Sequence, residues 1–352
     1  MLRTLFYFLS IIFLLSFAMN FYVFARFYGF FNLKKNPVFW SAVSICAISL
    51  IAASFLHTTY GNLFSKITYT ISTGWYGILW LLFCALIVYE ILNLFIKIKP
   101  HAAGSAILTI VALTVIYSII NAQLVRVKTI TIPGPANTNI VQLSDVHIGS
   151  VTGHFLKRVI NKTNALNPDM VLITGDLVDN HSPATEKAIA LLNNLNAPTY
   201  YVTGNHEYYA GIEKIIKAIK AANVTVLDNQ LVDLGEIQII GIDYKTKDFD
   251  QTIKSLNITP SAFSILMYHV PLELETAAKH NIDLTLTGHT HHGQIFPFNF
   301  IVRLFHPYLS GLHHHNNSYI YGSPGTGTWG PRMRLGSRSE ILLLKIKTAA
   351  QS

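Results

Sequence analysis

Charge is what this chain has least of. Asp, Glu, Lys and Arg together make up 12% of its 352 residues, about half the share found in an ordinary soluble domain. That argues against a single water-soluble globule. It also excludes a disordered chain, which would be rich in charge and poor in large apolar side chains. Cysteine is nearly absent: Cys46 and Cys84 both sit in apolar stretches, so there is no disulfide framework and no information about redox compartment. Glycine and proline follow no fixed period, which excludes collagen-like and repeat architectures. Acidic residues are rarest at the N-terminal end, where residues 1–122 hold only Glu90 against seven Lys and Arg.

Hydrophobic residues fill that end. Uncharged runs extend over Thr4–Ala25, Asn36–Ser65, Ile67–Tyr89 and Ala102–Val125, each long enough for the roughly 20 helical residues that cross a bilayer core. We expect four transmembrane helices near 4–25, 38–57, 74–96 and 103–122, forming an anchor over residues 1–122. A cleavable signal peptide is the rival for the first, set against it by three further spans and the lack of a small-residue cleavage site. Trp40, Trp75, Tyr76 and Trp80 are expected as interfacial anchors. Lys and Arg in the connecting loops count five on one side and four on the other, a margin that leaves the orientation open. Glu90 lies about two turns from Lys97 and is read as a snorkelling interfacial residue rather than a buried functional group.

The composition changes at about residue 123. Residues 123–352 carry 19 Lys and Arg against 17 Asp and Glu, a near-neutral balance without a basic run interleaved with aromatics, so no nucleic-acid partner is expected. Short apolar runs predict strands at Asn139–Leu143, Met170–Thr174, Thr199–Thr203, Ile237–Ile242, Ser264–Tyr268, Asp283–Thr287, Tyr319–Tyr321 and Ile341–Ile346. Helical patterns at His154–Leu166, Pro183–Leu195, Ile212–Ala222 and Leu272–His280 alternate with them, which argues for an α/β layered domain.

The residues that terminate the strands are more informative. Successive apolar runs end in Ser144-Asp145-Val146-His147, Gly175-Asp176, Gly204-Asn205-His206-Glu207, His269 and Gly288-His289-Thr290-His291. In open α/β sheets ligands bind beyond the carboxyl ends of strands, so these segments would converge on one crevice. Their side chains are metal ligands rather than a nucleophile with its base. Asp145 and His147, like His289 and His291, are two apart and in an extended segment would project to one side. Carboxylate, imidazole and amide oxygen together suit Mn, Fe or Zn. Seven ligands are too many for one tetrahedral ion and fit two ions sharing a carboxylate.

The ordered set Asp-x-His, Gly-Asp, Gly-Asn-His-Glu, His and Gly-His-Thr-His resembles the calcineurin-like metallophosphoesterase superfamily over about residues 139–347. SDVHIG, VLITGDLVD, GNHEYY, GHTHHGQ and GTGTWGPRMRLGSRSEILLL look most like the YkuE/YaeI-type bacterial membrane-associated phosphoesterases. The resemblance implies a four-layer αββα domain over residues 123–352, in a multi-pass protein of the bacterial inner membrane. It implies that Asp145, His147 and His291 bind a first divalent metal ion, that Asp176 bridges, and that Asn205, His269 and His289 complete a second. His206 would contact the phosphate and protonate the departing alkoxide, and Glu207 would orient His206 or a ligand. The implied activity is hydrolysis of a phosphodiester or pyrophosphate by metal-activated water, on a substrate that includes lipid-linked phosphoesters. A UDP-2,3-diacylglucosamine-type pyrophosphate hydrolase and a non-catalytic membrane metal sensor are the alternatives. No obligate protein partner is evident.

Several neighbours have two readings. His292 replaces a glycine expected after Gly-His-Thr-His, and either touches substrate or metal or points outward. Phe296–Phe305 holds four phenylalanines and Arg303. It either dips into a lipid interface with Arg303 on a headgroup phosphate, or packs as a buried connection. Arg332, Arg334 and Arg338 either bind phosphate or solvate a surface. His313, His314 and His315 are read as a solvated loop, since three adjacent side chains cannot all face one ion.

Overall fold

In a computed structural model, residues 2–348 are described. They divide into two compact units. One holds the helices through Ile120 together with Gly330–Met333, and the other holds Asn121–Trp329 and the chain from Arg334 onward.

The first unit is built from α1 (Leu2–Phe30), α2 (Pro37–Tyr60), α3 (Leu63–Phe95) and α4 (Pro100–Gln123). All four are long and apolar enough to cross a membrane, the first over Leu9–Phe30, and the chain is an integral membrane protein. The Asn36 side chain caps α2 by accepting from Phe39 N, Pro37 opens it, and Gly61 closes it in the left-handed region. Asn62 caps α3 in the same way through Ser65 N. That cap starts α3 eleven residues before the expected position 74. The polar residues that argue for a loop there are satisfied within the helix, since the hydroxyls of Thr68, Thr70 and Thr73 donate to the carbonyls of Ser65, Lys66 and Tyr69. Trp75 and Tyr76 make contacts between helices: Trp75 Nε1 donates to Asn20 Oδ1 at 2.9 Å and Tyr76 Oη to Ala47 O at 3.0 Å. Glu90 accepts from Arg26 at 2.6 Å across α1 and α3. It is thus half of an interhelical ion pair and does not depend on Lys97.

The second unit runs β1 (Arg126–Pro133), β2 (Thr138–Leu143), α5 (Gly153–Asn164), β3 (Met170–Thr174), α6 (Pro183–Ile189), β4 (Thr199–Val202), α7 (Asn205–Ala210) and α8 (Ile212–Ala221). It continues through β5 (Thr225–Val226), β6 (Gln230–Asp233), β7 (Ile237–Gly241), α9 (Phe249–Ser255), β8 (Phe263–Met267) and α10 (Leu274–Lys279). The last elements are β9 (Leu284–Thr287), α11 (Phe298–Arg303), β10 (Gly311–His315), β11 (Ser318–Gly322) and β12 (Glu340–Lys347). Two six-stranded sheets result, in the orders β1-β12-β2-β3-β4-β5 and β10-β11-β9-β8-β7-β6.

Strand sequences explain the layering. Every residue of β3, β7 and β8 is buried, as strands covered on both faces require. Alternate side chains then serve two cores. Ile140 and Leu172 pack between the sheets with Ile265, Met267 and Leu286. Val141, Val171 and Ile173 meet Phe155, Val159, Ile215 and Ile219 from α5 and α8 on the outer face. The far side of the second sheet is covered by Phe249, Ile253 and Ala277 from α9 and α10. This is the αββα arrangement. Gln142 ties the sheets together, donating to Thr174 Oγ1 at 2.8 Å and to Thr287 O at 3.0 Å.

The sheet edges depart most from the expected pattern. β1 carries Arg126 and Lys128 and sits at one sheet edge, where charge is tolerated. His313–His315 lie in edge strand β10, paired antiparallel with β11, and so form no loop.

Candidate metal centre

The carboxyl ends of β2, β3 and β4 in one sheet meet those of β8 and β9 in the other, and each delivers candidate ligands. The segments are not extended, as the two-residue spacing suggested. Asp145, His147, Asp176, His289 and His291 have φ between 49° and 72°, a left-handed conformation that costs energy for residues with a Cβ and gathers at functional sites. These tight turns, not a strand alternation, aim successive side chains into one volume. The turns also press on each other. A Cβ on Gly288 would lie 2.0 Å from Ser144 Oγ and 2.2 Å from Asp145 Oδ2, so only glycine fits there.

Three groups of donor atoms lie within 4.8 Å of one another. Two are the candidate ligand clusters, Asp145 with His147 and His291, and Asp176 with His269 and His289; the third, His147, Asp176 and His206, overlaps both. Asp176 Oδ2 stands 3.2 Å from His269 Nε2 and 3.9 Å from His147 Nε2, between the clusters. Asn205 heads α7 next to them. Its Oδ1 is buried without a hydrogen-bond partner among the described residues, an arrangement that costs energy unless something else satisfies the oxygen. Likewise His147 Nε2 and His291 Nε2 face each other at 2.9 Å. The orphaned amide oxygen, the facing imidazole nitrogens and the shared carboxylate fit a divalent metal set of oxygen and nitrogen donors.

Hydrogen bonds to the opposite ring atoms fix which nitrogen is offered. His269 Nδ1 bonds Thr174 O at 2.8 Å and His147 Nδ1 bonds Asp179 Oδ1 at 2.6 Å, leaving both Nε2 atoms inward. Asp176 Oδ1 accepts from His206 N at 2.9 Å, which frees Oδ2 for the centre. Asp145 accepts from Ser144 Oγ at 2.6 Å and from His289 N at 2.9 Å. Glu207 is fully buried and accepts the backbone N–H groups of Asp176, Leu177, Val178 and Gly204 at 2.7–3.3 Å. It therefore secures the turn that carries Asp176. The His206 ring is oriented by a different acid: its Nδ1 lies 3.2 Å from Asp179 Oδ1.

Electrostatics divide the imidazoles. Burial opposes charge on His147 and His269. The Asp179 carboxylate overrides it for His147, pushed up to about 9, and Asp176 does so for His269, pushed up to about 10. His289 is pushed down to about 3 by burial and the His269 charge, and His291 goes well below its ordinary value by burial and the His147 charge. Burial would raise Asp179, but the charge of His147 holds it well below the usual carboxylate range.

The peripheral residues separate from this group. His292 bonds Ser310 Oγ and belongs to neither cluster. Arg303 is exposed at the end of α11. Its segment is not a buried connection, since Phe300, Leu304 and Phe305 are 59%, 81% and 69% exposed. Arg334 neither solvates a surface nor has donors to spare for phosphate: it is fully buried, donating to Pro324 O at 2.7 Å and Gly327 O at 2.6 Å, with Nη2 3.4 Å from His291 Nδ1. Asp179, which contacts both His147 and His206, is a residue of this centre that the strand-end pattern does not single out, although it closes the motif VLITGDLVD three residues after Asp176.

The profile of the calcineurin-like phosphoesterase family matches residues 138–293. An uncharacterized metallophosphoesterase of Helicobacter pylori is 40% identical over 220 residues, 59% of this chain and 59% of that protein, so the chain spans less than two thirds of that relative's length. One from Campylobacter jejuni is 36% identical over 256 residues, 68% of each chain. A Bos taurus transmembrane protein with metallophosphoesterase domain is 31% identical over 375 residues, 90% of this chain and 84% of that one. All seven candidate ligands fall inside the matched stretch, and the chain belongs to the calcineurin-like metallophosphoesterases, a family of metal-binding hydrolases that act on phosphoesters.

Proposed function

We propose that this membrane protein hydrolyses a phosphodiester or pyrophosphate bond of a lipid-linked substrate with the help of two divalent ions. Asp145, His147, Asp176 and His291 would hold one ion, and Asp176, Asn205, His269 and His289 the other, with Mn, Fe or Zn matching the donors. The carrying observation is Asp176 Oδ2, which is within reach of both clusters. Bound ions would supply Lewis acidity toward the phosphoryl oxygens and acidify a water. The chain's own residues do the rest. Asp179 holds His206 through Nδ1, so His206 Nε2 is the atom that donates a proton to the departing oxygen. Glu207 keeps the Asp176 turn rigid through four amide bonds.

The lipid part of the reading is supported by residues 296–305. Phe296, Phe298, Phe300, Ile301, Leu304 and Phe305 are all exposed, beside the loop of His289–Gln294, where a Cβ on Gly293 would lie 2.4 Å from Asn299 Cα. An apolar helix ending in Arg303 suits acyl chains and a headgroup phosphate.

The test is metal-reconstituted full-length protein assayed on bis-p-nitrophenyl phosphate, p-nitrophenyl phosphate, a UDP-diacyl sugar and phospholipid vesicles, with His206→Ala alongside. Diester or pyrophosphate hydrolysis that collapses in His206→Ala is expected. Hydrolysis of the monoester alone would overturn the assignment.

A further inference from the structure

Two aromatic side chains beside His206 have no part in ligand or proton handling. The Tyr209 ring lies 5.4 Å from the His206 imidazole at 62°, and the Trp329 ring 5.7 Å away at 77°. They are 67% and 52% exposed, although large aromatic rings gain most when buried. Looseness does not explain the exposure of Trp329. Its N–H donates to Gln294 Oε1 at 3.0 Å and its carbonyl accepts from Gln294 Nε2 at 2.9 Å. Two residues earlier, Gly327 N donates to Asp145 O at 3.0 Å. The indole is thus presented to solvent from a backbone tied to two ligand-bearing loops, and Tyr209 rides one helical turn beyond His206 on α7.

The position is chemically specific. Because Asp179 occupies His206 Nδ1, a departing oxygen meets Nε2, at about 2.8 Å for a normal hydrogen bond. Atoms attached to that oxygen then come up against rings centred within 6 Å of the imidazole.

We infer that Tyr209 and Trp329 form a leaving-group subsite that selects alcohols carrying a ring with a face to stack, glycosyl or nucleoside, next to the scissile oxygen. The inference rests on the reading of His206 as the group facing the leaving oxygen. Ring faces stack on aromatic side chains with little demand on sequence or substituent. A compact alkyl group has no face to offer them.

The experiment uses the full-length, Mn-loaded protein in detergent micelles. It compares Trp329→Ala and Tyr209→Ala with the parent on bis-p-nitrophenyl phosphate and on bis(trifluoroethyl) phosphate. For each variant, the ratio of kcat/KM for the ring substrate to that for the compact one is expected to fall about tenfold, mostly through KM, and Trp329→Phe should recover most of it. A thymidine-bearing and a glucose-bearing diester, run in parallel, identify the source of the ring by the larger loss. A ratio unchanged within about twofold in both variants overturns the subsite alone. A parent protein inactive on every diester overturns the hydrolase reading, and this inference with it.

Discussion

Asp179 holds His147 by a hydrogen bond of 2.6 Å between Oδ1 and Nδ1, and the same oxygen lies 3.2 Å from His206 Nδ1. One carboxylate thereby orients a candidate ligand and the candidate proton donor. Asp179→Asn keeps the oxygen that both rings meet, but it removes the charge that favours protonated imidazole, and its amide nitrogen cannot replace the Oδ2 that accepts from Ser150 N at 2.8 Å. We expect kcat to fall about 10²-fold, with metal content reduced less, within the range seen for such outer partners. Turnover and metal analysis on the same preparation check this. Unchanged kcat would remove Asp179 from the mechanism.

Metal uptake should release protons. Without metal, His147 and His269, pushed up to about 9 and about 10, carry protons at pH 7, while His289 and His291 are already neutral. Coordination needs neutral imidazole, so metal affinity rises with pH from 7 to about 10 and then levels off. At pH 7 about two protons should leave per filled centre. Calorimetry in buffers of different ionisation enthalpy counts them, and a count of zero would contradict the charge states.

The same raised values set the stability of the metal-free protein. A His pKa raised on folding contributes stability fully below its unfolded value, near 6.5, and loses it as pH rises through the folded value. Metal-free protein should therefore lose thermal stability between pH 6.5 and about 10. Metal-loaded protein, whose imidazoles are already neutral, should show a flatter profile over that range. Melting curves with and without chelator test the difference.

Gly288→Ala should cost about 1–3 kcal/mol by overpacking, because its methyl group would collide with Ser144 and Asp145. Asp145 would be displaced at the same time, so the first ion should be lost before the fold is. Denaturant unfolding together with metal stoichiometry separates the two effects.

Leu304→Ser with Phe305→Ser removes two of the most exposed apolar side chains of the second unit, at 81% and 69%. Hydrolysis of a soluble diester should stay within about twofold, while the rate on phospholipid vesicles should fall about tenfold, as expected for lost interfacial area. Equal rates on vesicles would mean that the segment does not meet lipid.

The centre is legible in the sequence because each core strand is a short apolar run that stops abruptly at an Asp, Asn or His. Strand ends can be found by eye, and the topology of parallel sheets brings them together. Asp179 is harder, since its partners are 32 and 27 positions away and meet it only through the turn after β3. Arg334 reads as a surface residue on charge alone. Its burial depends on the carbonyls of Pro324, Gly325 and Gly327 curling around it. In the membrane half, hydropathy finds the spans, but the Thr-rich start of α3 conceals a helix whose hydroxyls return to its own backbone. The left-handed ligand turns leave no mark in composition at all, because they are imposed by tertiary contacts.

β12 lies between β1 and β2, parallel to one and antiparallel to the other, although about 200 residues separate it from β2 in the chain. Until residues 340–347 leave the ribosome, Ile140, Val141 and Gln142 have an open edge where Leu344, Leu343 and Leu342 will pair. The first sheet is thus a clasp closed from the far end of the domain, a long-range pairing of the kind that forms slowly. Through most of synthesis the nascent second unit must be carried with one central ladder unmade, and for that time its exposed strand edge is open to chaperones or to mispairing.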